Sequence, residues 1–425
     1  LERIRKYRAI RHLNWTLGQR QNVVGLSQGA WSDRPVVEDA RWVGKGVPLE
    51  VQIELLNTLR VDGWFPIPHR ADDDYVRRFA ETIRDQLHPS LHVYVEHSDE
   101  IWNYIYPQSA YARDRGLELG LSTDPIEAAQ YYNGLRTGQI GAIFEDVLGD
   151  ERVTEVLSMQ ASVSWWSNRL LAWNGTASHV EALAIAPYFG GRLGRPQDEA
   201  RVVAMTLDDL FLELETVSVP ESRQQMSDQA AVASRYGLPL LAYELGQHLT
   251  SQTHNATINA LFNAANRDPR MGELYRRHLQ DWSDTSGGLM VHLGNCESYS
   301  QTGRFGSLEY IAQPREEATK YDALQDYLEA SEVPSRALLV VARSGFHYGE
   351  YAAVRGALEG AGIEVRIASS AEAICMPQPN SGQPADGGRI QAEVSFADVR
   401  IDDFGAIVLL GGWGAVAHQH AFPGV

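Results

Sequence analysis

Two groups of acidic residues follow apolar runs in this chain. The segment LHVYVEHSDEIWN at residues 91–103 places three carboxylates, Glu96, Asp99 and Glu100, after a strand-like run. A further carboxylate, Glu244, ends the apolar run LPLLAYE. The simplest interpretation of the first group is the start of a helix, whose dipole favours acidic residues there. Burying a carboxylate at the end of an apolar strand costs free energy unless the group has a bonding partner or a catalytic role. These residues are therefore candidates for acid–base chemistry.

Strand-like and helix-like segments alternate through about residue 312 and predict the scaffold for these residues. Strands that alternate with amphipathic helices indicate parallel βαβ units. We interpret the strands as strands two to eight of a (β/α)8 TIM barrel whose first strand is missing or lies upstream of Leu1. An open doubly wound sheet would give a similar pattern. The strand candidates are residues 7–15, 63–68, 91–97, 153–160, 180–189, 238–244 and 287–295.

In such a barrel, chemistry takes place at the C-terminal ends of the strands. Glu100 follows the fourth strand and Glu244 ends the seventh, so the two carboxylates are expected to face each other across the mouth. Glycoside hydrolysis needs this arrangement around a neutral substrate. One carboxyl, held protonated, gives its proton to the leaving oxygen, and the other attacks the anomeric carbon.

Other polar and aromatic side chains at the predicted strand ends are candidates for binding the substrate. Tryptophans are more often core residues than sugar platforms, and this applies to Trp15, Trp64, Trp165 and Trp166. The acidic run 72–74 is interpreted as a helix N-terminus, since a metal site would need further oxygen ligands. The candidate substrate-binding residues are Arg11, Asn14, Trp15, His69, Asp99, Tyr188, His292 and Asn295.

Several separated motifs carry a resemblance to a known family. VYVEHSDEIWN, RHLNW, GWFPIPHRADDDYVRRFA and AYELGQHL resemble segments of clan A glycoside hydrolases, in particular a cellulase-like group also labelled cellulose-binding proteins. The similarity covers about residues 7–325. It implies a retaining mechanism in which Glu100 is the acid/base and Glu244 the nucleophile, with carboxyl groups about 5–5.5 Å apart. It also implies that Arg11 keeps the nucleophile ionised and that His69 and Tyr188 contact the substrate.

Two residues depart from the pattern of that family. Asp99 stands where the family has an asparagine, and an ionised carboxylate can only accept hydrogen bonds. Its charge either keeps Glu100 protonated or impairs substrate binding. Phe305 stands where a tryptophan platform is expected. Glu96 is either a buried partner of Arg11 or a competitor for the acid role.

The resemblance therefore implies a hydrolase that cleaves β-linked, cellulose-like glucan by double displacement. The alternative is a catalytically impaired barrel that binds carbohydrate, and a third hypothesis is an interaction scaffold. The resemblance also implies an extracellular, secreted or cell-surface location. The first residues are not a signal peptide, and a leader is expected to have been removed or to lie upstream. The oligomeric state stays open.

Bulk composition restricts the class of partner. The net charge of −18 disfavours nucleic acid and anionic membranes, both of which would repel the chain. A neutral partner such as carbohydrate fits better. The two cysteines form neither a disulfide framework nor a zinc motif, and we expect no metal and no cofactor. No run of about 18 apolar residues predicts a membrane span.

The C-terminal part of the chain has a different pattern. Residues 313–335 are polar and predict a linker with some helix, and residues 336–425 predict an incomplete open α/β, flavodoxin-like domain. RALLVVARSGFHYGEYAAVRGALEGAG and FGAIVLLGGWGAVAHQHAFPG resemble the first half of the DJ-1/PfpI group, relatives of class I glutamine amidotransferases. Glu350 matches the acid of that group, but Cys375 is not at the nucleophile position. A structural or docking role is predicted for this part.

Overall fold

The computed structural model describes residues 1–16, 29–330 and 336–415. The chain divides into two compact units, Leu1–Leu328 and Glu329–Val425. The strands are β1 (Ala9–Arg11), β2 (Asp62–Ile67), β3 (Val93–His97), β4 (Val153–Ser158), β5 (Ala182–Ile185), β6 (Tyr188–Phe189), β7 (Leu240–Ala242), β8 (Gly246–Gln247), β9 (Arg336–Val340), β10 (Ser344–Phe346), β11 (Glu364–Ser369), β12 (Ile374–Pro377), β13 (Ile390–Gln391), β14 (Val394–Ser395) and β15 (Ala406–Leu409). The α-helices are α1 (Leu49–Leu59), α2 (Asp73–Gln86), α3 (Pro107–Glu118), α4 (Pro125–Leu148), α5 (Ser164–Ala172), α6 (Glu199–Val203), α7 (Leu207–Glu213), α8 (Val219–Arg235), α9 (Ala256–Arg267), α10 (Pro269–Thr285), α11 (Thr319–Ala330) and α12 (Tyr348–Gly360).

The first unit is built on a curled parallel sheet that forms half of a barrel. Its strand order is β1-β2-β3-β4-β5-β7, and every neighbouring pair is parallel. A separate parallel pair, β6 with β8, lies beyond the ends of β5 and β7. Six of the seven predicted strands are therefore present in the predicted order. The result is a mixed α/β protein with the expected alternation of strands and helices.

The seventh predicted strand, residues 287–295, is reduced to a single parallel bridge between Ala242 and Met290. Side chains take the backbone groups that a longer ladder would need. Ser286 Oγ donates to the carbonyl of Leu240 at 2.6 Å, and Trp282 Nε1 donates to the carbonyl of Gly288 at 2.8 Å. The described residues thus form an open half-barrel, and the prediction of a full strand here was wrong.

The strands of the sheet are covered on both faces, which explains why their sequences are almost continuously apolar. On the outer face of β2 and β3, side chains such as Phe65 and Val95 pack against Phe79 of α2 and Phe144 of α4. The inner face carries a second layer of buried side chains. These are Trp64, Val156, Ala182, Ala184, Leu241 and Tyr243.

Acidic residues begin two of the helices. Asp72 is the N-cap of α2 and accepts from the backbone N–H of Tyr75 at 2.8 Å. Asp124 is the N-cap of α4 and accepts from the N–H groups of Ile126 and Glu127. A cap of this kind satisfies backbone donors that have no partner in the helix. The acidic run that starts at Asp72 thus has a structural task at a helix N-terminus.

The division between the units falls later than the predicted end of the barrel at residue 312. Most of α11 belongs to the first unit because it contributes Ala323 and Leu324 to two hydrophobic cores there. Tyr321 Oη also donates to the carbonyl of Arg3 at 3.0 Å. The polar face of α11 made this segment resemble a linker in the sequence.

The second unit contains an open parallel sheet with the order β14-β11-β9-β15. A smaller sheet has the order β10-β12-β13. Glu350 in α12 accepts from the backbone N–H of Gly411 at 3.2 Å, while Cys375 is buried in β12. The open parallel sheet agrees with the α/β pattern of the sequence, and the DJ-1/PfpI resemblance stays a prediction. None of the helices in the described ranges is both long and apolar enough to cross a bilayer.

Candidate active site

A buried arginine organises the C-terminal edge of the half-barrel. Arg11, the last residue of β1, has a side chain that is only 2% exposed. Its Nε donates to Glu96 Oε1 at 2.6 Å, and its Nη2 donates to Asp99 Oδ1 at 2.6 Å. Its Nη1 donates to Glu244 Oε1 at 3.1 Å. One guanidinium therefore bonds three carboxylates, one on β3, one in the turn after β3 and one just after β7.

The sheet register brings these groups together. Arg11 pairs with Trp64 of β2, and Glu96 of β3 pairs with Pro66 of β2 and Val156 of β4. Below the charged groups, the guanidinium of Arg11 lies over the ring of Tyr243 at 5.0 Å. Since the guanidinium is planar and has five N–H donors, it can hold several carboxylates at once.

The main chain turns sharply where β3 ends. Ser98 has φ 59° and Glu100 has φ 43°, both in the left-handed region that non-glycine residues seldom adopt. Each such residue costs about 1–3 kcal/mol, and these conformations concentrate at functional sites. Gln108 Nε2 donates to the carbonyl of Asp99 at 2.9 Å and holds the middle of the turn. The turn thus fixes the position from which Glu100 projects.

Glu100 is a largely buried carboxyl group with a hydrogen-bond donor beside it. Its residue is 9% exposed, and its Oε2 accepts from Asn103 Nδ2 at 2.9 Å. Burial raises the pKa of Glu100 well above its usual range, and the charges of Asp99 and Glu244 raise it further. Because these effects outweigh the hydrogen bond from Asn103, the protonated form of the carboxyl is favoured.

Glu244 is held at both oxygens. Oε1 accepts from Arg11, and Oε2 accepts from Tyr188 Oη at 2.9 Å. Burial raises the pKa of Glu244 to about 7, with a further increase from Asp99, although Arg11 and Tyr188 act in the opposite direction. Near neutral pH this carboxyl therefore exchanges between its charged and neutral forms. Two donors fix its orientation in the charged form.

An aromatic cluster lies next to Glu244. The ring centroids of Tyr188 and His248 are 5.2 Å apart, and that of Phe305 is 6.0 Å from Tyr188 and 5.4 Å from His248. Phe305 is half-buried. The residue that replaces the expected tryptophan therefore packs against the tyrosine that bonds Glu244.

Three predicted site residues follow β1 and β2. Asn14 and Trp15 are exposed just after β1. His69, after β2, is buried, and its ring lies 5.1 Å from that of Tyr111. Burial lowers the pKa of His69 to about 3, so the ring is neutral. Within the described part of the chain, neither ring nitrogen of His69 has a hydrogen-bond partner.

The two predicted site residues after the Met290 bridge bond to protein groups. His292 Nε2 lies 3.1 Å from Tyr275 Oη, and its Nδ1 lies 3.2 Å from the carbonyl of Gly294. Asn295 Oδ1 accepts from Tyr7 Oη at 3.2 Å. The structure thus gathers Arg11 and Asp99 around the two carboxylates, with Tyr188 beside Glu244. His292 and Asn295 have partners of their own, and their substrate role stays a prediction.

Several residues that support the site were not predicted from the sequence. Ser158 at the end of β4 donates to Glu96 Oε2, and Trp102 Nε1 donates to Tyr243 Oη at 3.2 Å. Asn103 bonds Glu100 directly. A signal was available, since Trp102 and Asn103 lie within the acidic motif itself. Ser158 had none, because a serine at the end of a strand is common.

Comparisons with known proteins give matches among solved structures alone. No protein-family model and no curated protein matches the chain. Beta-glucuronidase 2 of Bacteroides uniformis is 12% identical with a TM-score of 0.41, and the match covers 69% of this chain and 32% of that protein. A 4-O-alpha-L-rhamnosyl-beta-D-glucuronidase of Fusarium oxysporum is 11% identical with a TM-score of 0.42, covering 67% and 53%. A xylanase of Cellvibrio japonicus is 13% identical with a TM-score of 0.39, covering 67% and 84%.

The chain spans about a third of the length of the Bacteroides enzyme and about half of the Fusarium enzyme. All three of these proteins are glycoside hydrolases. At these identities and TM-scores, the likeness decides neither the fold nor the activity of this chain.

Proposed function

We propose that the chain is a retaining clan A glycoside hydrolase that cleaves β-linked, cellulose-like glucan. One observation carries the proposal. Glu100 and Glu244 belong to one buried cluster in which Glu100 keeps its proton and Glu244 is oriented by two hydrogen-bond donors. A retaining hydrolase needs this asymmetry between its two carboxyl groups.

In the first step, the Glu244 carboxylate attacks the anomeric carbon while the glycosidic C–O bond breaks. Glu100 gives its proton to the leaving oxygen, and the sugar becomes bound to Glu244 as an ester. The donors on Glu244 align it for attack. These are Arg11 Nη1 at 3.1 Å and Tyr188 Oη at 2.9 Å.

In the second step, water replaces the departed group. The Glu100 carboxylate, now charged, takes a proton from this water as its oxygen attacks the anomeric carbon. The ester bond to Glu244 breaks, and the sugar leaves with its original stereochemistry. Both carboxyl groups then return to their starting charge.

The substrate class and location are finer parts of the proposal. The cellulose-like glucan and the extracellular location follow from the motifs around Glu100 and Glu244. The net charge of −18 agrees with a neutral substrate. For the second unit we propose a structural or docking role, supported by the burial of Cys375 in β12 away from a turn.

A second candidate function is carbohydrate binding without cleavage. It is favoured by Asp99, which is fully buried and accepts from Arg11 where the family pattern has an amide donor. The limited exposure of Glu100 points the same way. In this case sugars bind the mouth and no bond is broken.

The test is hydrolysis of aryl β-glucosides and of a panel of soluble β-glucans. We expect turnover by the natural chain and none by Glu244→Gln. Glu100→Gln should lose about 10²–10⁴-fold on substrates with poor leaving groups and much less on those with good ones, because only the former need a proton. Retention of anomeric configuration is read by NMR of the first product.

A matched control is Glu155→Gln, since Glu155 is a buried carboxylate on β4 outside the cluster. It should hydrolyse as fast as the natural chain. If the natural chain and Glu244→Gln were equally inert while a β-glucan oligosaccharide still bound, the second candidate would replace the first.

A further inference from the structure

The centre of the site holds more carboxyl groups than a simple acid and nucleophile pair requires. Four of them are buried together, and three bond the same guanidinium, that of Arg11. The four are Glu96, Asp99, Glu100 and Glu244, with exposures of 1%, 0%, 9% and 4%. Buried charges are costly unless they are paired, so these groups compete for the positive charge that is present.

We propose that Glu96 is a positioning residue for the reaction, because it competes with Glu244 for Arg11 and thereby sets the charge that the nucleophile carries. The inference rests on the proposed function. It adds a third carboxylate that does not touch the substrate and acts through the guanidinium.

The geometry favours Glu96 in this competition. Its oxygen lies 2.6 Å from Arg11 Nε, whereas the oxygen of Glu244 lies 3.1 Å from Nη1. The other oxygen of Glu96 accepts from Ser158 Oγ. Glu96 also sits inside the ladder between β2 and β4, while Glu244 lies beyond the last ladder residue of β7. Glu96, which is held within the ladder, therefore fixes the position of the guanidinium. Glu244 accepts the longer hydrogen bond from it.

Charged and titratable groups face Glu244 from each element packed around it. Arg11 and Tyr188 lower its pKa, whereas burial, Asp99 and Glu96 raise it to about 7. Burial also raises the pKa of Glu96 to about 7, and Arg11 and Ser158 lower it. The groups are Arg11 on β1, Glu96 on β3, Asp99 and Glu100 in the turn after β3, Tyr106 just before α3, Tyr188 on β6 and Tyr243 after β7.

The sign of the effect follows from these neighbours. Replacing Glu96 by glutamine removes a negative charge near Glu244 and leaves Arg11 with one fewer carboxylate to neutralise. Both changes favour the charged form of Glu244, so its pKa falls. The nucleophile then stays ionised at lower pH. Glu96 is absent from the principal causes of the raised pKa of Glu100, which are burial, Asp99 and Glu244.

The first test is the pH profile of kcat/KM for an aryl β-glucoside. In Glu96→Gln the acid limb should move down by about one pH unit, which raises kcat/KM on that limb about tenfold. The alkaline limb should move little. Ser158→Ala should move the acid limb in the same direction by less, because Glu96 loses a donor and becomes neutral more readily. An unmoved acid limb in both variants would reduce Glu96 to a structural residue.

The second test does not need turnover. Thermal unfolding is measured from pH 5 to pH 8 for the natural chain, Glu96→Gln, Glu244→Gln and the double variant. Competition for one guanidinium predicts non-additive changes in the free energy of unfolding, and independent residues predict additive ones. An inert natural chain with a non-additive cycle overturns the proposed function but keeps the competition. An active chain with an additive cycle and an unmoved acid limb overturns this inference alone.

Discussion

At the residue scale, the protonation states in the site depend on how the carboxylates share the single positive charge of Arg11. Asp99 is the residue that acts on both catalytic candidates, since it raises the pKa of Glu100 and that of Glu244. In the family pattern an asparagine at this position donates to the substrate. Here the carboxylate accepts from Arg11 at 2.6 Å. The effect proposed for Asp99 on the reaction is therefore electrostatic.

Asp99→Asn should shift the whole pH profile of kcat/KM to lower pH. The pKa values of both Glu100 and Glu244 fall when the charge of Asp99 is removed, so both limbs move, by about one unit or less. The measurement is kcat/KM from pH 4 to pH 9 on an aryl β-glucoside. Asp281→Asn is the control, since Asp281 is a buried carboxylate of α10 that pairs with Arg223. A shift of the acid limb alone would show that Asp99 does not act on Glu100.

At the scale of structural elements, the segments that follow the strands carry solvent-exposed side chains. Helix α5 begins soon after β4, whose last residue Ser158 bonds Glu96. On α5, Trp165 is 58% exposed and stacks on Trp166 with ring centroids 4.8 Å apart. Trp166 in turn packs against a hydrophobic core. A firmly supported, exposed indole on the side of the mouth is suited to stack on the face of a sugar ring.

Trp165→Ala should weaken action on long β-glucans and leave aryl β-glucosides unaffected. A chain substrate loses a contact worth about 1–2 kcal/mol, which is about tenfold or somewhat more in kcat/KM. The measurement compares kcat/KM for a soluble β-glucan and a monosaccharide aryl glycoside. Trp413→Ala provides a matched exposed tryptophan in the second unit, at 76% exposure. Equal losses on both substrates would indicate a change in folding instead of a lost platform.

Much of the element order was predictable from the sequence. Apolar runs bounded by helix signals located β1 to β5 and β7, because all of these strands except β1 are largely buried. The turn after β3 was not predictable, since Ser98 and Glu100 adopt left-handed backbone without any glycine to signal it. The reduction of the last strand to one bridge was also not predictable, since the side chains of Ser286 and Trp282 that bond the backbone there precede the apolar run.

At the scale of the whole molecule, buried carboxyl groups affect stability as well as chemistry. Glu155 on β4 is 2% exposed, and burial raises its pKa to about 8, with further increases from Glu181 and Glu145. A carboxyl with a raised pKa in the folded state binds more protons there than in the unfolded chain. Its contribution to stability is therefore largest at low pH and is lost as the pH rises through about 8.

The melting temperature should consequently fall between about pH 5 and pH 8. Glu155→Gln should make this decrease smaller and raise the melting temperature at pH 8 by a few degrees, about the effect of 1 kcal/mol or slightly more. Scanning calorimetry at several pH values is the measurement. Glu151→Gln, an exposed carboxylate close in sequence, is the control. If the melting temperatures of Glu155→Gln and the natural chain fell in parallel, the loss of stability would come from groups other than Glu155.

The positive φ angles of Ser98 and Glu100 mean that the carboxyl proposed as proton donor, Glu100, is aimed by the main chain as well as by side-chain rotation. Glycine at position 98 would relieve the unfavourable conformation while freeing the peptide on either side to swing. Such a chain would resist heat better and yet deliver its proton less accurately. Thermal stability and catalytic efficiency therefore make opposite demands on one peptide. Selection for thermostable variants is expected to alter this turn first.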